Sequence, residues 1–248
     1  MFGSSVAADT QLRSVRCRFQ VSRHMLQSIV RCGSQALSQN VTLRFFPDGS
    51  EETCGYDNST DALTFTTASI PIVGRCFNLA DLFGGNATSG FVNQSQNLAS
   101  PPHDQPVGIA WQLENMDMYD PQTNYSRVLY RQHVETSSGS DDRYKPDAYA
   151  YRRINIYGGV NCSESDPEGT NLLDFYGFDC FSDGEGNCGT TPYNIASFYI
   201  TEGEFRDESE QHGKCMVFAR MGAAAGHQVS KAVMGALLCA SMAAWLVR

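Results

Sequence analysis

Six cysteines, Cys54, Cys76, Cys162, Cys180, Cys188 and Cys215, are spread through a stretch of short apolar runs, and none belongs to a Cys-x-x-Cys pair. The spacing speaks against a zinc ribbon. An even set of this kind is the mark of a disulfide framework, which forms in an oxidising compartment. Six cysteines allow 15 pairings. Sequence proximity favours Cys180 with Cys188, which would close a short loop, and next Cys54 with Cys76.

The segments between the cysteines have the period of strands. Residues 41–46, 62–73, 107–113, 125–134, 147–157, 172–178, 195–201 and 215–220 are apolar or alternating runs. They are broken by turn residues such as Pro47-Asp-Gly49 and Gly158-Gly159. In 125–134, Val128, Tyr130 and Val134 fall on one face, and Arg127, Arg131 and His133 on the other. In 147–157, Ala148, Ala150, Ile154 and Ile156 oppose Tyr149, Tyr151, Arg153, Asn155 and Tyr157. Residues 77–83 read as a helical turn or two, and 84–106 as a long polar surface loop. Runs 107–113 and 125–134 flank Asp120-Pro121 and read as a hairpin with a longer loop. No 12-residue window before the C-terminal tail holds a 3.6-residue period, and no internal repeat is evident. The fold class this predicts is all-β: a disulfide-stabilised sandwich or open barrel of short strands. The predicted division is a disordered or misassigned leader over 1–38, a β domain over 39–221, and a tail over 222–248 that is a lipid-anchor signal or hydrophobic helix.

Charge narrows the function. Residues 39–222 carry 11 Lys and Arg against 26 Asp and Glu, a balance of −15. Such a surface repels phosphate backbones, so nucleic acid is not the expected partner.

Six N-x-[ST] sequons begin at Asn40, Asn58, Asn86, Asn93, Asn124 and Asn161. About two would arise by chance from 13 Asn with Ser and Thr at about 15%. The excess favours the secretory route. Residues 1–38 oppose it: five Arg stand against a lone Asp9, with no apolar run of leader length, a composition closer to a mitochondrial transit peptide. Ala36-Leu37-Ser38 before Gln39 nevertheless has the small residues of a signal-peptidase site. The two fit together if the true leader is encoded by a different first exon that this sequence lacks. Sequencing the 5′ end of the transcript and finding this start codon in frame would reject that idea.

Residues 232–247 are uncharged and span about 24 Å as a helix, short of the roughly 30 Å hydrocarbon core. Ahead of them stand Gly222, Ala223 and Ala224, then a polar spacer over 227–231. Small residues, a spacer and a terminal apolar tail are the signal for a glycosylphosphatidylinositol anchor, here attached at Gly222, Ala223 or Ala224. The spacer is short for that signal, so a retained transmembrane anchor or a buried C-terminal helix stays open.

Candidate chemistry is sparse. His103, His133 and His212 are not at metal-ligand spacing, and no GxSxG, HExxH or phosphate-binding glycine loop occurs. No catalytic residue and no cofactor is predicted. Asp183, Glu185 and Asn187 alternate in a glycine-bearing loop and are the candidates for a calcium site. Glu114, Asp117, Asp174 and Asp179 are candidate glycosidase carboxylates, with no spacing that singles out a pair. Tyr149, Tyr151 and Tyr157 share a strand face and are candidates to stack on sugar rings; the alternative is that they pack under neighbouring segments.

The six sequons, the cysteine layout from Cys54 to Cys215 and the small-residue, hydrophobic C-terminus resemble those of cysteine-containing, glycosylphosphatidylinositol-anchored surface proteins of filamentous fungi. The resemblance is one of architecture and carries no catalytic residues. It implies a secreted, glycosylated protein at the membrane or cell wall with a structural or recognition role, its partners being the membrane and a wall glycan. A surface carbohydrate hydrolase and a soluble secreted effector are the alternatives.

Overall fold

The structure is a computed structural model that describes residues 15–19, 30–34, 40–50, 54–100, 106–134, 144–166, 169–203 and 214–222. Strands β1 (Val15–Phe19) and β2 (Val30–Ser34) pair as a separate antiparallel ribbon, with Cys17 opposite Cys32. The rest of 1–38 lies outside the described residues.

The main body holds eleven strands: β3 (Val41–Pro47), β4 (Leu63–Thr67), β5 (Arg75–Asn78), β6 (Ser89–Asn93), β7 (Gly108–Glu114), β8 (Tyr125–Gln132), β9 (Tyr149–Tyr157), β10 (Phe175–Cys180), β11 (Asn187–Thr190), β12 (Ser197–Glu202) and β13 (Ala219–Met221). One short helix, α1 (Leu79–Phe83), follows β5. The strands form two antiparallel sheets, a six-stranded one in the order β11-β8-β3-β4-β7-β6 and a five-stranded one in the order β13-β10-β9-β12-β5. The fold is mostly β, as the sequence predicts.

Alternation in the sequence decides which face meets the other sheet. Val41, Leu43 and Phe45 of β3, Leu63 and Phe65 of β4, and Val128 and Tyr130 of β8 share one core with Ile154 and Ile156 of β9, Phe178 of β10, and Phe198 and Ile200 of β12. Aromatic rings bridge the sheets: Phe45 and Phe198 lie 5.7 Å apart, Phe65 and Phe198 4.9 Å, and Tyr130 and Phe178 4.7 Å. These are the separations at which ring quadrupoles attract. Helix α1 adds Leu79, Leu82 and Phe83 to the same core. Trp111 of β7 lies against Gly90 of β6, where a Cβ would come within 2.2 Å of its ring; only glycine lets the indole seat there.

One inward position of β9 is a charge. Arg152 is 1% exposed, and its Nε donates to Ser69 O at 2.7 Å and its Nη1 to Gln132 Oε1 at 3.2 Å. Nη2 donates to Ala68 O. Burial lowers its pKa to about 10. The guanidinium thus pins the segment that leaves β4 for the other sheet. Tyr130, equally buried, is held neutral by desolvation and donates to Cys180 O at 2.9 Å.

The disulfides are Cys54–Cys188, Cys76–Cys162 and Cys180–Cys215. All six cysteines named from the sequence are paired, and both pairings favoured by proximity are wrong. Cys180 ends β10 in one sheet while Cys188 lies in β11 of the other, so the connection crosses between sheets and does not close on itself. Likewise Cys76 belongs to β5 in the five-stranded sheet, whereas Cys54 is tied to β11 in the six-stranded one.

Three other expectations are corrected. β7 and β8 do not form a hairpin: β7 pairs with β4 and β6, and β8 with β3 and β11. The segment 84–106 contains an edge strand, β6, and the run 62–73 is a strand only over Leu63–Thr67. The predicted C-terminal helix falls on 223–248, outside the described residues. Among the described residues no helix is long and apolar enough to cross a membrane.

Candidate functional site

The face of the six-stranded sheet turned away from the core is polar and concave. Register sets its side chains in cross-strand rows. One row runs Arg131–Thr42–Thr66–Gln112 across β8, β3, β4 and β7. The next carries Arg44, Thr64 and Glu114 on β3, β4 and β7. With Asn40, Tyr56, His133 and Val134 these residues line a groove of about 520 Å³. Neighbouring strands are about 4.8 Å apart, so the first row is about 14 Å from end to end.

The lower part of this face is closed. Phe46, Ala62 and Leu129 form a small apolar cluster, with Cys54 and Tyr56 packed on it. The cover is the segment that starts at Cys54, and the Cys54–Cys188 disulfide holds it to β11. Tyr56 sits where cover and groove meet. The Arg131 guanidinium lies 4.0 Å from its ring centroid and that of Arg44 4.4 Å, both cation–π distances. Arg44 Nη1 donates to Ser59 Oγ at 2.8 Å and to Tyr56 O.

The loop between β10 and β11 lies behind three of the groove residues and holds them through backbone oxygens. Gly184 O accepts from Arg131 Nε at 2.6 Å, Ser182 O meets His133 Nδ1 at 3.2 Å, and Glu185 O accepts the Tyr56 N–H at 3.1 Å. Of the alternating residues read as a calcium site, Asp183 and Glu185 are exposed. The Asp183 carboxylate accepts the Gly186 N–H at 2.9 Å, and Asn187 belongs to β11. Among the described residues, Asp179, Cys180 and Cys215 form the one group of His, Cys, Asp or Glu side chains close enough to share a metal. Both its sulfurs are bound in a disulfide and offer no thiolate.

The tyrosines singled out as stacking residues do share the outer face of β9, and two of them are engaged by other rings. Tyr157 is buried with its ring stacked on Phe175 at 5.0 Å. Tyr151 packs edge-on against Phe181 and meets Tyr144. Tyr149 is half-buried. The candidate carboxylates are dispersed: Glu114 lies in the groove, Asp117 in the turn after β7, Asp174 is buried and paired with Arg220, and Asp179 is buried and accepts the Met216 N–H.

Five sequon asparagines, Asn58, Asn86, Asn93, Asn124 and Asn161, are exposed, and Asn40 is half-buried at the groove. Gly222 is the last described residue, just past β13; Ala223 and Ala224 lie outside the described set.

Of the groove residues, the sequence isolates Arg131 and His133 as one strand face, and it singles out the loop whose carbonyls hold them. Thr42, Arg44, Thr64, Thr66 and Gln112 carry no local signal of function: each is an alternate polar position in a short run. No protein-family model, curated protein or solved structure matches this chain.

Proposed function

We propose that the chain is a secreted, N-glycosylated recognition module, a disulfide-stabilised sandwich displayed at a membrane or wall, which binds glycan in the groove of its six-stranded sheet. The observation that carries this reading is the double row of hydroxyl, amide and charged side chains fixed on a rigid sheet. Such a surface offers donors and acceptors at set spacings, as vicinal sugar hydroxyls require. The glycan site is the groove and not the tyrosines of β9.

Compartment rests on separate support. Six paired cysteines suit an oxidising environment. Sequons whose asparagines are exposed or half-exposed suit a glycoprotein. Anchor attachment at Gly222 would remove the apolar tail and keep every described strand of the two sheets. Hydrolysis is the weaker reading. Among the described residues lining the groove Glu114 is the one carboxylate, and glycoside hydrolysis by the common route uses two.

The test is surface display of the full chain behind a functional secretory leader, with a tag after Gln39. Phospholipase C should release a glycosylated species that binds members of a neutral and acidic glycan panel without cleaving them, and Thr66→Trp should abolish that binding. An unglycosylated intracellular product would overturn the compartment. Binding undisturbed by Thr66→Trp would overturn the site.

A further inference from the structure

Arg44 is 6% exposed and lines the groove, and its Nε has no hydrogen-bond partner. Neither Arg44 nor Arg131 has an ion-pair partner among the described residues. Buried cations are ordinarily matched by a counter-charge, because desolvating an unmatched one is costly. The domain does not lack acids to supply one: residues 39–222 hold 26 of them. Its surface charge is strongly negative, yet two guanidiniums converge on one tyrosine at the β8–β3 end of the groove. Among the described residues the one groove carboxylate, Glu114, stands two strands from Arg44, about 10 Å by strand spacing. The groove is therefore polarised along its rows, cationic on β8 and β3 and acidic on β7.

We propose, resting on the glycan-binding reading, that the groove selects an acidic sugar, a uronate whose carboxylate occupies the Arg44–Arg131 end. Guanidiniums match a carboxylate in geometry and charge. Thr42, Thr66 and Gln112 then face the ring hydroxyls along the row, and the Glu114 carboxylate accepts a hydrogen bond from a hydroxyl at the far end. A free inorganic anion would use the arginines and leave the remaining row without a role, which is why a sugar acid is preferred over phosphate.

The experiment titrates the full glycosylated chain with an oligogalacturonide and with the same oligosaccharide after carboxyl reduction to galactose. The acidic form should bind, the reduced form should bind at least about tenfold more weakly, and Arg131→Gln should cost about tenfold or more. Arg44→Lys provides a second variant. It keeps the charge but loses the planar fork, and should weaken the acidic form selectively. Circular dichroism and melting curves identify any variant that fails to fold. Equal binding of both forms overturns the acidic preference and leaves glycan recognition standing. Displacement by inorganic phosphate at concentrations similar to the oligosaccharide's overturns the sugar acid in favour of a plain anion site. Failure of the acidic form to bind overturns the proposal, and silence of the reduced form and the whole neutral panel as well removes the recognition reading beneath it.

Discussion

At its centre, on β3, the six-stranded sheet is buried on both faces, and the two faces are made of opposite material; toward β7 the outer face opens, with Gln112 and Glu114 exposed. On the inner face of β3 and β4, Val41, Leu43, Phe45, Leu63 and Phe65 are enclosed by the other sheet. On the outer face Thr42, Thr64 and Arg44 are 4%, 3% and 6% exposed, enclosed by concavity and by the segment tied down at Cys54. Removing apolar area from water is favourable on the first face. Enclosing polar groups on the second gains little, because each bond made replaces one to water. Burial thus serves stability on one face, and on the other, in the proposed reading, it holds polar groups in place for a glycan.

The largest effect should come from the inner face. Phe65→Ala removes a ring that touches both Phe77 and Phe198 and should cost about 3–5 kcal/mol, read as a fall in the urea midpoint. A loss under 1 kcal/mol would break the comparison at its stable end. Replacing Cys54 and Cys188 together by Ala should cost about 2–5 kcal/mol, since this disulfide links residues 134 apart in sequence. It should also raise amide exchange over 54–62, because the cover of the outer face is held by a covalent tie more than by its small apolar cluster. Unchanged exchange there would mean that the cluster suffices.

Thr66→Val, on the outer face, should change stability by no more than about 0.5 kcal/mol while weakening glycan binding. The smallest effect belongs to neither face. Asp166 accepts from Thr170 and Asn171, and the Asn171 side-chain bond leads the causes that hold its carboxyl at about 2. A depressed carboxylate stabilises the fold above its unfolded value, and that contribution is lost as pH falls from about 4 toward 2. Asp166→Asn should flatten this part of the stability–pH curve by slightly lowering the neutral plateau that the charged carboxylate supports, with the acid end unchanged.

What was legible in the sequence follows the range of the signal. Alternation within one strand is local, so the faces of β8 and β9 read correctly: Val128 and Tyr130 lie in the core with Ile154 and Ile156, and Arg131 and His133 face outward. Arg152 breaks the pattern, because its charge sits at an inward position and is resolved only by carbonyls of a distant segment. Strand pairing is not local. The Asp120-Pro121 turn resembles a hairpin, yet the chain carries β8 past β7, β4 and β3 before it pairs. Connections that pass between the two sheets likewise defeated the cysteine pairings. β6 and β11 are short edge strands rich in Ser, Gly and Asn and lack the apolar run that announces a strand. The groove was illegible for a related reason. Thr42 and Thr66 look like ordinary solvent-facing residues until register places them in one row with Arg131 and Gln112.

The most direct measurement takes the full chain and its Thr66→Trp variant and records, on the same samples, the urea midpoint and binding to the glycan panel. Tryptophan suits a strand and its ring would fill the groove without touching the core. The account predicts an unchanged midpoint with binding lost. A lowered midpoint with binding intact would contradict it, and would make the outer face part of the protein's stability and not its site of recognition.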